Sequence, residues 1–324
     1  MKHRLWLPLS IVLLAILASC APTTQSNLEE NKLTVLTVEF NSGAPIPGLY
    51  LTVTAIESGE EIEAALGSEE GEATFSKLVD GKDYSIAATT LENSTKGNGY
   101  TTIEMFTYDK TKPYYKLQTH FARDEQQLDV PVVLQNPELP HGCEITSLTA
   151  VLNYYGIHVS KLEMVDTYLP KQAFRTVGGK KYGPNPAQAY AGDPRNLKDG
   201  TYVFAAPIVR AAEAVIEYEQ QNLRVTNMSA KSKEEILALV KEGVPVVVWV
   251  TLDLSPPKMK DGWIFEGETK EREMYRNLHA VVLTGHLTDK VVVMDPLKGY
   301  VTYSEEQFFK SYQELGAQAV AIHK

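Results

Sequence analysis

Apolar and polar positions alternate with a period of two from Leu33 to about Phe121, the spacing of strands with one buried face. Val35, Leu36 and Val38 open the pattern, and Leu49, Leu51, Val53 and Ala55 continue it. Ala73-Thr74-Phe75, Tyr84-Ser85-Ile86 and Thr101 to Phe106 add short β-rich runs, punctuated by Gly43, Pro45, Pro47-Gly48, Gly59, Gly71 and Gly81. Regular short strands between turn residues predict a small all-β sandwich. Glu57, Glu60, Glu61 and Glu63 lack metal-ligand spacing and read as a solvated face. A polar link, Ala122 to Gln127, follows, and then Val130 to Leu134 reads as a strand leading to Gln135.

The period changes at Cys143. Pro140 and Gly142 break the backbone before it, and Ile145, Leu148, Leu152 and Tyr155 then recur at helical steps until Gly156 stops the run. Cys143 is thereby placed in the first turn of a buried helix, where unpaired N–H groups favour a thiolate. A lone cysteine is commonly just a small buried hydrophobe. Further along, Pro207 begins a helix with Ala211, Ala212, Val215 and Ile216 on its apolar side. Ser232 and Glu235 form a capping box for a helix that Gly243 ends. Val244 to Val250 is apolar throughout, as expected of a strand buried on both faces. Thr251 to Leu278 reads as a long loop carrying Trp263 and Phe265, a length often associated with function.

Leu278 to Gly285 and Val291 to Pro296 read as the arms of a β-hairpin. If Thr284 and Lys290 close the turn, His279 faces Asp295 directly. If Gly285 and Val291 close it, the two are diagonal neighbours on one face. Both registers leave them within side-chain reach. A carboxylate there holds an imidazole by one nitrogen and leaves the other free as a base. His286 sits at the turn, away from Asp295, while His120, His141 and His158 have no partner at informative spacing, although His141 is close to Cys143.

Length and charge narrow the picture. At 324 residues the chain suggests about two domains, and its net charge of -10 argues against nucleic acid as a partner. Lys2 and Arg4 precede an apolar run, Leu5 to Leu17, that is short for a transmembrane helix. Leu17-Ala18-Ser19-Cys20 resembles a bacterial lipobox, which implies a signal segment (1–19), lipidation of Cys20 and a tether (20–32) to a membrane. With Cys20 carrying lipid, Cys143 has no cysteine partner.

Cys143 opening a helix, His279 opening a buried strand and Asp295 ending the next resemble the chain order of papain-like cysteine peptidases. Leu139-Pro140-His141-Gly142-Cys143-Glu144, His279 to Gly285 and Asp295-Pro296 are similar to the bacteriocin-leader-processing cysteine peptidases, family thirty-nine, and to their stand-alone envelope relatives. The resemblance implies an α+β papain-like cysteine peptidase domain over residues 128–324. In it Cys143 is the nucleophile, His279 the base, Asp295 its orienting carboxylate and Gln135 the oxyanion donor, with no metal or organic cofactor. Transporter-linked members commonly place Asp before the cysteine and Gly after it; here Gly142 and Glu144 stand, so a double-glycine leader substrate is not carried over. Ala44 to Gly48 and Gly71 to Phe75, with Leu78, Gly81 and Tyr84, resemble prealbumin-like modules of the carboxypeptidase-regulatory or Cna-B type, covering residues 33–123. The function expected is an envelope-anchored peptidase acting on a peptide or protein. An amidase or acyltransferase on cell-wall peptides, or a non-catalytic peptide-binding lipoprotein, would use the same fold. Gly192-Asp193-Pro194, Tyr182 and Tyr202 border a substrate cleft or form an irregular surface loop.

Overall fold

The alternation after Leu33 becomes strands β1 (Leu33–Glu39), β2 (Leu49–Ala55), β3 (Glu61–Leu66), β4 (Glu72–Phe75), β5 (Asp83–Thr90), β6 (Gly99–Thr107) and β7 (Tyr114–Thr119). They belong to a computed structural model that describes residues 32–39, 43–90, 99–119 and 127–324. Cys20 and its signal segment, most of the tether, His120 and most of the Ala122–Gln127 link lie outside the described residues. β4, β1 and β7 form one sheet, and β6, β5, β2 and β3 lie side by side in another. Val35, Leu51, Val53, Phe75, Ile86 and Leu117 fill the space between the two sheets. Each is fully buried, because alternate positions of every strand turn inward.

The C-terminal segment contributes helix α1 (Cys143–Tyr154) and short strands β8 (Lys171–Gln172), β9 (Arg175–Val177), β10 (Lys180–Gly183) and β11 (Tyr190–Ala191). Then come α2 (Ala205–Tyr218), β12 (Arg224–Asn227), α3 (Lys233–Lys241), β13 (Val246–Thr251), β14 (Met259–Phe265) and β15 (Glu271–Tyr275). β16 (Leu278–His286), β17 (Lys290–Asp295), β18 (Gly299–Ser304), α4 (Glu305–Glu314) and β19 (Ala319–His323) complete it. The predicted capping box of α3 forms: the Ser232 hydroxyl accepts from Glu235 N and the Glu235 carboxylate accepts from Ser232 N.

The central sheet runs β12-β19-β13-β16-β17-β18 and is antiparallel throughout that stretch. Val247, Trp249, Ala280 and Val282 pack with α1 and α2 on one face. Val246, Val248, Val250, Val281 and Leu283 pack with α3 and α4 on the other. Layers on both faces are why β13 carries no polar alternation.

Three expectations meet a different arrangement. Thr251 to Leu278 is not a structureless loop: β14 and β15 pair antiparallel and β10 joins β14, giving the order β15-β14-β10-β9. Trp263, Ile264 and Met274 are buried there, anchors that the surrounding charges hid in the sequence. Val130 to Leu134 forms no strand; Pro131 offers no N–H for a ladder, and Tyr300 Oη instead bonds Val130 O at 2.5 Å. Finally, the segments expected as separate modules share one sheet. β18 pairs in parallel with β6, Tyr303 beside Ile103, so the order runs on through β6, β5, β2 and β3 as ten strands. All described residues fall within one compact unit, Asn31–Lys324.

The join is also polar. Lys290 Nζ donates to Glu104 Oε1, and Tyr115 Oη donates to Glu104 Oε2 at 2.8 Å. Lys290 is 5% exposed and Glu104 17%, so removing one partner leaves a poorly hydrated charge. Lys290→Met is expected to lower stability by about 2 kcal/mol, read from urea denaturation midpoints. An unchanged midpoint would mean that strand pairing alone holds the seam.

Candidate active site

Gly142 occupies the N-cap of α1 without a side-chain cap, so Cys143 is the first helical residue. A Cβ on Gly142 would lie 2.7 Å from Leu139 Cβ, which restricts this position to glycine. At the other end Gly156, with φ +84°, closes the helix. Ile157 N donates to Leu152 O and Gly156 N to Asn153 O, both at 3.0 Å, a Schellman arrangement. Every residue from Cys143 to Leu152 is buried. Ser147 Oγ donates to Ala280 O at 3.1 Å, seating the helix on β16, and the Ala280 N–H is directed at the Cys143 sulfur.

β16 and β17 settle which hairpin register forms. Val282 pairs with Met294 and Leu283 with Val293. One further step in that register puts Asp295 opposite Val281, so His279 is its diagonal neighbour. Nearer the turn the ladder slips by one, Gly285 meeting Val292, so a bulge separates site register from turn register. His279 Nε2 lies 2.9 Å from Asp295 Oδ1, with the side chains 4% and 1% exposed. Leu297 N also donates to Asp295 Oδ1, at 2.7 Å. Burial opposes ionisation of Asp295, but the imidazole, Lys298 and the Leu297 N–H outweigh it and hold the carboxyl below its ordinary value. His286 bonds Glu305 instead, well away from this pair in the network.

Gln135 bridges the two halves of the site. Its backbone N–H donates to Pro296 O and its Nε2 donates to Pro140 O, both at 2.8 Å. His141 N donates to Pro194 O at 3.0 Å and Tyr190 Oη donates to His141 O at 2.7 Å. The Gly192-Asp193-Pro194 stretch is therefore packed against the cysteine loop. Gly192 requires glycine, since φ is +89° and a Cβ would sit 1.9 Å from Asp199 O. Tyr202 packs at a tilt against Phe204 and Tyr275, whereas Tyr182 lies under the Arg175 guanidinium in the small sheet.

Glu144, which the sequence marks only as a departure from the transporter-linked pattern, proves to touch the cysteine. It is 1% exposed. Its Oε1 accepts Val203 N–H at 3.0 Å and its Oε2 accepts the Cys143 S–H at 3.3 Å. Burial pushes its carboxyl up to about 7, against the opposing pull of these bonds and of His279. The helix start that favours a thiolate is opposed by its surroundings. Burial first, and then the Glu144 carboxylate, push the Cys143 thiol well above its ordinary value, outweighing the Ala280 N–H. Among the described residues no group of three or more His, Cys, Asp or Glu side chains could hold a metal ion.

The model of the Peptidase_C39 like family matches residues 127–320. The chain belongs to the Peptidase_C39 like family. Uncharacterized protein YvpB of Bacillus subtilis (strain 168) is 29% identical to this C39-like chain over 199 residues, 60% of this chain and 75% of that protein. A crystal structure from Bacillus anthracis, named by inference a C39-like peptidase, is 29% identical with a TM-score of 0.54, covering 62% of this chain and 98% of its own. A double glycine motif protease from an AMS/PCAT transporter, solved with the leader peptide, is 18% identical with a TM-score of 0.34, over 61% of this chain and 91% of its own. At that level nothing is carried over from it.

In the C39-like segment Glu144 is also a stability determinant. Its carboxyl rises from 4.5 to about 7 on folding, so the native state holds a proton that the unfolded chain has released. Its contribution is complete below pH 4.5 and is lost as pH rises to about 7, a swing on the order of 3 kcal/mol. Glu144→Gln should remove that swing. The difference in unfolding free energy between variant and wild type should therefore grow in the variant's favour from pH 5 to pH 8. A constant difference across that range would place the carboxyl's titration elsewhere.

Proposed function

We propose that this chain is a cysteine peptidase of the bacterial cell envelope, tethered to a membrane by lipid on Cys20 and acting on a peptide or protein. The observation that supports this most is the buried His279–Asp295 pair, 2.9 Å apart, with His279 on β16, the strand on which α1 is seated through Ser147. Asp295 holds His279 by Nε2 and leaves Nδ1 free to take the thiol proton. The sulfur then attacks the scissile carbonyl. The tetrahedral oxyanion takes the Cys143 N–H, at a helix start without a side-chain cap, and the second Nε2 proton of Gln135. His279 returns its proton to the leaving amine, and water releases the acyl group from sulfur. The residue 33–123 region, read as a prealbumin-like module, serves as a platform joined rigidly to this site.

A non-catalytic binding role is favoured by one observation, the buried Cys143 sulfur bonded to the Glu144 carboxylate at 3.3 Å. Peptide hydrolysis by the wild type, lost in Cys143→Ala, separates the two readings. Asp295→Asn keeps a hydrogen-bond acceptor but removes the charge that stabilises imidazolium, so kcat/KM is expected to fall at least about a hundredfold. Added to His279→Ala it should cost little more, since residues acting as one unit are not additive. Losses that multiply would give Asp295 a separate role.

The lipid anchor is tested apart from the chemistry. Metabolic labelling with a fatty-acid analogue should mark the wild type and miss Cys20→Ala. Equal labelling of both would remove Cys20 as the anchor.

A further inference from the structure

We propose that Glu144 gates the nucleophile: ionised, it holds Cys143 as a thiol; protonated, it donates to the sulfur and lets the thiolate form. This rests on the reading of Cys143 as the nucleophile and adds a regulator that touches it.

The carboxyl group cannot turn away. Oε1 is tied to Val203 N at 3.0 Å, and Val203 O is itself held by Trp249 Nε1 at 2.8 Å from the core of the sheet. Oε2 is left facing Sγ at 3.3 Å. The charged and titratable groups around Glu144 come from several elements. α1 supplies Cys143 and β16 supplies His279; β17 supplies Asp295, whose charge reaches the Cys143 sulfur, and Lys298 just beyond β17 acts on Asp295. β11 supplies Tyr190 and the segment before α2 supplies Tyr202, both of which sense the Glu144 charge. Neither tyrosine hydroxyl serves the carboxyl: Tyr190 donates to His141 O and Tyr202 to the Met274 sulfur. Burial exceeds the combined pull of the Val203 N–H, the Cys143 S–H and His279, leaving a titration near neutral pH.

The proton balance then differs between two forms of the site. With Glu144 neutral, the thiol proton passes to His279 Nδ1. The thiolate so formed accepts a hydrogen bond from the Glu144 O–H, and the thiolate and Asp295 flank one imidazolium. With Glu144 ionised, the same transfer would set Cys143, Glu144 and Asp295 as three anions against the imidazolium, with Lys298, itself bonded to Asp253, as the further cation. Like charges at this range, out of water, strongly disfavour the third. The sulfur therefore stays protonated until alkaline solvent removes its proton.

The test is alkylation of Cys143 by iodoacetamide from pH 5 to pH 9 on the full chain, read at the Cys143 peptide by mass spectrometry. The comparison is Glu144→Gln, whose amide oxygen can still accept Val203 N–H while its NH2 donates to sulfur permanently. The wild-type rate is expected to fall through about pH 7 and rise again only at the alkaline end. The variant should show no fall and react about tenfold or more faster at pH 8. Superimposed profiles overturn the gate. If Glu144→Gln does not fold, the wild type decides alone, because a rate that climbs monotonically with pH also overturns it. Alkylation needs no substrate, so the two readings fail separately. A gate seen in a protein that hydrolyses no peptide removes the peptidase reading, and hydrolysis with superimposed profiles removes the gate.

Discussion

The docking of α1 onto β16 is the contact on which the site depends. α1 is buried from Cys143 to Leu152, so it cannot shift without opening the core. The Ser147–Ala280 bond fixes its height on the strand, and the same residue's N–H meets the Cys143 sulfur. Gly142, which has no room for a side chain, lets the chain turn sharply into that position. His279 precedes Ala280 by one residue on β16, so seating the helix on Ala280 brings the start of α1 to the end of the strand that carries His279.

Two buried carboxyl groups with opposite behaviour share this small volume. Asp295 is held ionised because an imidazole, Lys298 and a backbone N–H converge on it. Glu144 has a backbone N–H and a thiol, which offset less than burial costs, and so it keeps its proton to about neutral pH. Environment, and not residue type, sets which of the two is charged. Burial first and then the Glu144 carboxylate push the Cys143 thiol up, against the pull of the helix start and the Ala280 N–H.

The site is carried on a sheet that extends well beyond it. Pairing of β18 with β6 continues the central sheet into the β-sandwich, and the Lys290–Glu104–Tyr115 contacts reinforce the seam. Lys258 Nζ adds bonds across to Ile56 O and Glu57 O at 2.7 and 2.9 Å. On the other side the Asp193 to Gly200 stretch packs on His141 of the cysteine loop, through Pro194 O and Leu197 O.

By itself the sequence determined the local elements and the identity of the paired residues. Alternation marked the sandwich strands, the capping box marked α3, and the glycines marked both ends of α1, because each depends on neighbours in the chain. The hairpin made His279 and Asp295 neighbours in either register, since short-range pairing leaves few alternatives. Tertiary structure alone chose the diagonal register, through a bulge no local signal announces. It alone turned Thr251 to Leu278 into strands, because Trp263 and Met274 find a core only when β10 arrives beside them. It alone joined β18 to β6 and buried Glu144 against Val203. Those outcomes rest on contacts between residues far apart in the chain, whose cost in water is not written in the residues' own spacing.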